Sequence, residues 1–119
     1  MLDLSDVSAV RKMLAIMCRN PLLRINPPEI NIRNNWRPFD VVEPHSLSFH
    51  SDESAWEHIA DCLDGNVAVT CQPPTTAYPD HAYVMIEEDG RGMKLYMKIA
   101  INPIIAKKVI GVSFHHARR

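Results

Sequence analysis

Residues Met93–Ile101 read Met-Lys-Leu-Tyr-Met-Lys-Ile-Ala-Ile, an alternation without a fault. Met93, Leu95, Met97, Ile99 and Ile101 are apolar, and Lys94, Tyr96, Lys98 and the small Ala100 lie between them. Successive side chains of a strand point to opposite faces of its sheet, so a period of two marks a half-buried strand. One face is core. The other presents two ammonium groups and a phenol.

Residues 81–88 alternate in the same way. Ala82, Val84 and Ile86 share one face, and His81, Tyr83, Met85 and Glu87 share the other. Asp89-Gly90-Arg91-Gly92 is strong turn chemistry, which makes the two segments a hairpin. Pairing Glu88 with Met93 sets Val84 against Met97, Ile86 against Leu95 and Tyr83 against Lys98, so apolar residues meet apolar ones. Asn102-Pro103 ends the second strand. A last strand is expected over residues 108–116, with Ile110, Val112 and Phe114 toward the core and Val109, Gly111, Ser113 and His115 away from it.

The first half of the chain reads as helical. Ser5 is the expected N-cap of a first helix, along which Val7, Val10, Met13, Leu14 and Met17 recur at helical spacing until Asn20-Pro21. Ser51 or Asp52 caps a second helix through Leu63, with Ala55, Trp56, Ile59, Ala60 and Leu63 on one face and Gly65 as its stop. Residues 66–71 form a strand on Val67 and Val69, and residues 72–80 a proline-rich loop. Between the helices, residues 22–44 are rich in proline, with one extended candidate at 29–33; residues 46–50 are short and extended. The run Arg33-Asn34-Asn35-Trp36-Arg37 either stacks and holds a nucleotide or is an ordered loop around a packed indole. A chain of 119 residues that is 46% hydrophobic supports one domain with a modest core. The class is α+β, two helices on one face of an antiparallel sheet of three to five strands.

Charge is segregated although the net charge is only -1. Residues 51–90 hold nine acidic side chains and no Lys or Arg; residues 91–119 hold seven basic ones and no Asp or Glu. Such a division builds a local positive surface, or the two stretches attract each other in the fold. The near-neutral total excludes wholesale non-specific nucleic-acid binding. The three cysteines, Cys18, Cys62 and Cys71, form no Cys-x-x-Cys pair and fit free thiols in a reduced compartment. The opening Met-Leu-Asp-Leu-Ser-Asp has no basic start and no long apolar run, so the expectation is a soluble cytoplasmic protein without membrane contact.

The polar face of the strands gathers His81, Tyr83, Lys94, Tyr96, Lys98, Ser113 and His115, with Gly111 and Ala100 leaving room. Metal-free RNA cleavage needs a base for the ribose 2′-hydroxyl, a proton donor for the leaving 5′-oxygen and cations at the phosphate. His115, Tyr83 and Lys98 can fill those roles, and aromatic rings can stack an unpaired base. No cofactor or metal is expected. A set of His81, His115, His116 and Cys71 matches no known ligand spacing, and Cys18 and Cys62 lie by apolar helix stripes where thiols are inert.

Leu95-Tyr96-Met97-Lys98-Ile99, followed by Val109-Ile110-Gly111-Val112-Ser113-Phe114-His115, resembles the C-terminal strands of the motility quorum-sensing regulator (MqsR) toxins. These are RelE-like mRNA interferases of bacterial toxin–antitoxin systems. The resemblance spans residues 46–115 and leaves 1–43 unaccounted for. It implies a RelE-like core over 46–119, preceded within the same domain by a helix and proline-rich arm over 1–45. It places Tyr83 at the family's catalytic tyrosine, His115 where the family has a catalytic lysine, and Lys98 on the strand lysine, with Gln72 near a loop glutamine. His81, Lys94, Tyr96 and Arg91 would line the substrate. The family's lysine on the strand after the second helix has no counterpart in residues 66–71, so Lys94 or Arg91 would supply that cation.

The leading expectation is therefore an mRNA interferase toxin, a metal-independent endoribonuclease whose partners are RNA, including mRNA on the ribosome, and a cognate antitoxin. A homodimer is compatible with it. The alternative is a non-catalytic interaction or regulatory module on the same fold, binding a protein through the first helix or the arm.

Overall fold

A computed structural model describes residues 4–26, 35–42, 48–76, 79–90, 93–102 and 107–116 of the chain. The first helix, α1, spans Val7–Arg19. Its cap is Asp6, not Ser5: the carboxylate accepts from the Ala9 amide at 3.1 Å, so the first turn starts one residue later than the hydroxyl implied. Val10, Leu14, Met17 and Cys18 are buried along its stripe.

Two short strands follow that carry no periodic signal, β1 (Arg24–Ile25) and β2 (Asn35–Trp36), then a single 3₁₀ turn at Pro38–Asp40. The extended candidate at 29–33 lies outside the described residues. The second helix, α2, spans Asp52–Asp64. Ser51 and Ser54 cap it reciprocally, each side chain bonded to the other's amide, and Gly65 ends it in an extended conformation.

Arg11 ties the helices together. Its guanidinium donates to the carbonyls of Cys62, Leu63, Gly65 and Val67 at 2.8, 2.9, 2.6 and 2.8 Å, supplying donors at the end of α2 where backbone amides run out. The acids of α2 also turn toward the N-terminal part of the chain: Asp61 and Asp64 pair with Arg19, and Glu57 with Arg24. Of the C-terminal cations, Lys94 pairs with Glu87 and Asp89.

The sheet is mixed rather than antiparallel. Strands β3 (Ala68–Gln72), β4 (Ala82–Gly90), β5 (Met93–Ile101) and β6 (Val109–His116) are antiparallel neighbours, and both β1 and β2 run parallel to β6 at the edge. Both helices lie on the face carrying Val84, Ile86, Met97, Ile99 and Phe114, all fully buried. No described helix covers the other face.

The hairpin register differs by two residues from the expected one. Gly90 pairs with Met93, Ile86 with Met97, Val84 with Ile99 and Tyr83 with Ala100. Asp89 and Gly90, expected in the turn, continue the strand. A shift of two keeps every side chain on its face, so the apolar pairing is as good as in the expected register.

Strand β6 breaks its own alternation. Lys98 pairs with Ser113 but Ile99 pairs with Gly111, which leaves Val112 as the extra residue of a bulge. Before the bulge, Val109 and Gly111 face the core and Ile110 faces away, opposite to the uninterrupted pattern. After it, Phe114 faces the core and Ser113 and His115 the open side, as expected. Gly111 therefore leaves room on the core side, and Trp36 fills it: a Cβ there would stand 2.8 Å from the indole. Trp36 also packs on Trp56 and Phe114, at centroid distances of 5.2 and 5.9 Å, and its Nε1–H donates to Asp52. It is the packed indole of the two readings of its run.

Candidate functional site

The open face of the sheet is ordered in cross-strand rows. Gln72, Tyr83, Ala100 and Ile110 form one; Thr70, Met85, Lys98 and Ser113 the next; Ala68, Glu87, Tyr96 and His115 the third. Gln72, expected in a loop, closes β3 directly opposite Tyr83. Lys98 is central. Its Nζ lies 4.6 Å from the centroid of the Tyr83 ring, a cation–π contact across one diagonal of the sheet. His115 lies on the opposite diagonal, beyond Ser113. Diagonal neighbours are separated by about 7–8 Å, so Tyr83 and His115 flank Lys98 rather than touch each other.

His115 is oriented by its own strand. Its Nδ1 is 2.9 Å from the carbonyl oxygen of His116, which can only accept, so Nδ1 carries the proton and the lone pair of the neutral ring sits on Nε2. The ring leans on Tyr96, centroid to centroid 5.5 Å. Burial, reinforced by the Glu87 carboxylate, raises the Tyr96 phenol above the ordinary range and keeps it neutral.

The remaining expected substrate contacts are placed unevenly. Lys94 is engaged by acids, with Nζ 3.3 Å from Glu87 and 3.9 Å from Asp89, so this corner has little positive charge to offer a phosphate. Among the described residues no ion pair engages Lys98. His81 is half-buried at the entrance to β4, and Arg91 lies outside the described residues.

The metal-ligand set of His81, His115, His116 and Cys71 does not gather. His115 and His116 point to opposite faces, and Cys71 pairs with Val84 on β4.

A different cluster escaped the sequence reading. On the core side, His58 Nε2 lies 2.6 Å from Glu88 Oε1, and Cys62 Sγ donates to Glu88 Oε2 at 3.6 Å. The hydrogen bond from His58 holds the Glu88 carboxyl below its usual range against the cost of burial. Burial first, and then Glu88, pushes the Cys62 thiol up, and burial raises Cys18 to about 12. Neither thiol is a nucleophile in this state, since the thiolate is the reactive form. The signal was available: His58 and Cys62 are four residues apart on a helix, and Glu88 occupies a core-side position of an alternating strand. Among the described residues no helix is long and apolar enough to cross a membrane. Comparison with protein-family models, curated proteins and solved structures finds no match for this chain.

Proposed function

We propose that the open sheet face binds single-stranded RNA and cleaves it as a metal-independent endoribonuclease. The observation that carries this reading is Lys98 flanked on its two diagonals by Tyr83 and His115. A phosphate resting on Lys98 lies between a base and an acid, as in-line displacement requires. His115 Nε2 takes the proton of the 2′-hydroxyl, and the 2′-oxygen attacks phosphorus. The bond from phosphorus to the 5′-oxygen breaks, and the Tyr83 phenol protonates the departing oxygen. The products are a 2′,3′-cyclic phosphate and a 5′-hydroxyl, and Lys98 stabilises the charge that builds on the phosphoryl oxygens. Tyr96, held neutral, stacks a neighbouring base.

The relation to RelE-like mRNA interferases of the MqsR kind belongs to the same proposal and rests on the same strands. It adds a role as the toxin of a toxin–antitoxin pair, acting in the cytoplasm on mRNA. The missing family lysine on β3 and the acids around Lys94 make Lys98 the cation on which this reading depends.

The test is cleavage of single-stranded RNA by the purified chain in the presence of EDTA, with end-group analysis. Wild type is expected to leave cyclic phosphate ends, and His115→Ala and Tyr83→Phe each to lose about 10²–10⁴-fold in rate. A substrate with a 2′-deoxy sugar at the cut site should be inert. Wild-type RNA left intact, or a folded double variant as active as wild type, overturns the enzyme. The chain is then a non-catalytic interaction module.

A further inference from the structure

We infer that His58, Cys62 and Glu88 form a binding site for a zinc-class divalent cation, on the core side of the sheet and separate from the proposed RNA face. One helical turn brings His58 and Cys62 to the same face of α2, and the core-side end of β4 brings Glu88 up to them. Their donor atoms all lie within 4.8 Å of one another, with Nε2 and Sγ at 2.6 and 3.6 Å from the two carboxylate oxygens. Tetrahedral zinc, bound at about 2.0 Å from nitrogen and oxygen and about 2.3 Å from sulfur, spaces its donors by roughly 3.3–3.7 Å. Rotamer adjustments well short of a backbone shift convert one arrangement into the other.

The donor set chooses the metal. One imidazole, one thiol and one carboxylate suit Zn²⁺ or Co²⁺, whereas Ca²⁺ and Mg²⁺ take oxygen alone. Three protein donors with solvent as the fourth is a common zinc arrangement. Cys62 is buried, but the side chains of His58 and Glu88 are 21% and 33% exposed, which gives an ion access from the edge. Without a cation, Glu88 accepts hydrogen bonds from both neighbours. On binding, His58 gives up the Nε2 proton it shares with Glu88 and carries its ring proton on Nδ1, so that Nε2 can bind the ion. The Cys62 thiol releases its proton to solvent, and the S–H bond is replaced by S–Zn. A thiolate and a carboxylate then balance the two positive charges, and the ion pins α2 to β4.

Cobalt reports on this directly. The reduced, EDTA-treated full chain is expected to bind one Co²⁺ with a thiolate-to-cobalt charge-transfer band in the near ultraviolet, bleached by added Zn²⁺. Cys62→Ser should abolish the band and Glu88→Gln should weaken Co²⁺ binding by at least about tenfold. Cys18→Ala/Cys71→Ala, which leaves Cys62 as the sole thiol, should retain the band. Zn²⁺ should raise the Tm of wild type but not of Glu88→Gln. A wild type with no charge-transfer band, or a band that survives Cys62→Ser, overturns the site. Should Cys62→Ser fail to fold, the Cys18/Cys71 variant decides: a band supports the site, and its absence overturns it.

Discussion

The two faces of one sheet end treat the same chemical groups in opposite ways. Glu87 and Glu88 are neighbours on β4, and His115 and His116 are neighbours on β6, yet each pair is divided between the faces. On the helix-covered side Glu88 receives hydrogen bonds from both His58 and Cys62. A buried charge costs too much to leave unpaired, so Glu88 is bonded on both oxygens and its thiol donor is held protonated, while the His116 ring on the same side has a buried Nδ1 without a partner among the described residues. On the open side water shares that work. Lys98 rests over a phenol with no carboxylate paired to it among the described residues, and the Nδ1 bond of His115 to its own strand leaves the lone pair of the neutral ring on Nε2.

This contrast depends on strand parity, so the strongest way to break it is to change the parity. Deleting Tyr96 from β5, which has no slack, sends Leu95 and its neighbours to the wrong face and is expected to abolish cooperative unfolding in a thermal melt. Deleting Val112 should behave differently. It is the extra residue of the bulge, and its removal leaves Lys98 opposite Ser113 and Ile99 opposite Gly111. That variant should fold, losing about 1–2 kcal/mol in urea denaturation for the half-buried side chain.

A smaller change sharpens the contrast on the open face. Glu87 pairs with Lys94 and places negative charge beside Tyr96, which would repel the phosphate of the proposed substrate. Glu87→Gln should tighten binding of single-stranded RNA by about two- to fivefold at low salt, an exposed-charge effect that fades as ionic strength rises. Unchanged affinity at low salt would place the RNA elsewhere.

The smallest effect is a titration. Tyr96 has a folded pKa raised above its unfolded value, so the fold prefers its protonated form. That contribution is fully present below the ordinary phenol value of about 10 and is lost as pH rises through the raised one. In a ¹³C-labelled tyrosine NMR titration, Tyr96 should be the late titrator, and Glu87→Gln should move it earlier.

Much of this architecture was legible from periodicity and capping. Met93–Ile101 repeats a period of two over nine residues, and Ser51 opens α2 with a side chain made for the purpose. Strands β1 and β2 were not legible because two residues cannot display a period, and they turned the expected antiparallel sheet into a mixed one. The bulge at Val112 reversed the assignment of Val109, Ile110 and Gly111, though a glycine inside a strand is itself a sign of a bulge or of close packing. At the candidate site the strand pattern placed Lys98, Tyr83 and His115 on one face, but their order around Lys98 needed the register. In the His58–Cys62–Glu88 cluster the helical spacing of His58 and Cys62 and the core-side parity of Glu88 were legible, but their meeting across 26 to 30 residues needed the packing of α2 on β4.

Arg11 carries a consequence for how the chain acquires its structure. Its guanidinium reaches carbonyls 51 to 56 residues further on. The final turn of α2 therefore reaches its full complement of hydrogen bonds only after α1 has docked, and the two helices form one cooperative unit closed by a long loop. A nascent chain can wind α2 locally, but the lock arrives from its earliest helix, so a protein shortened from that end would begin to unravel at the far end of α2.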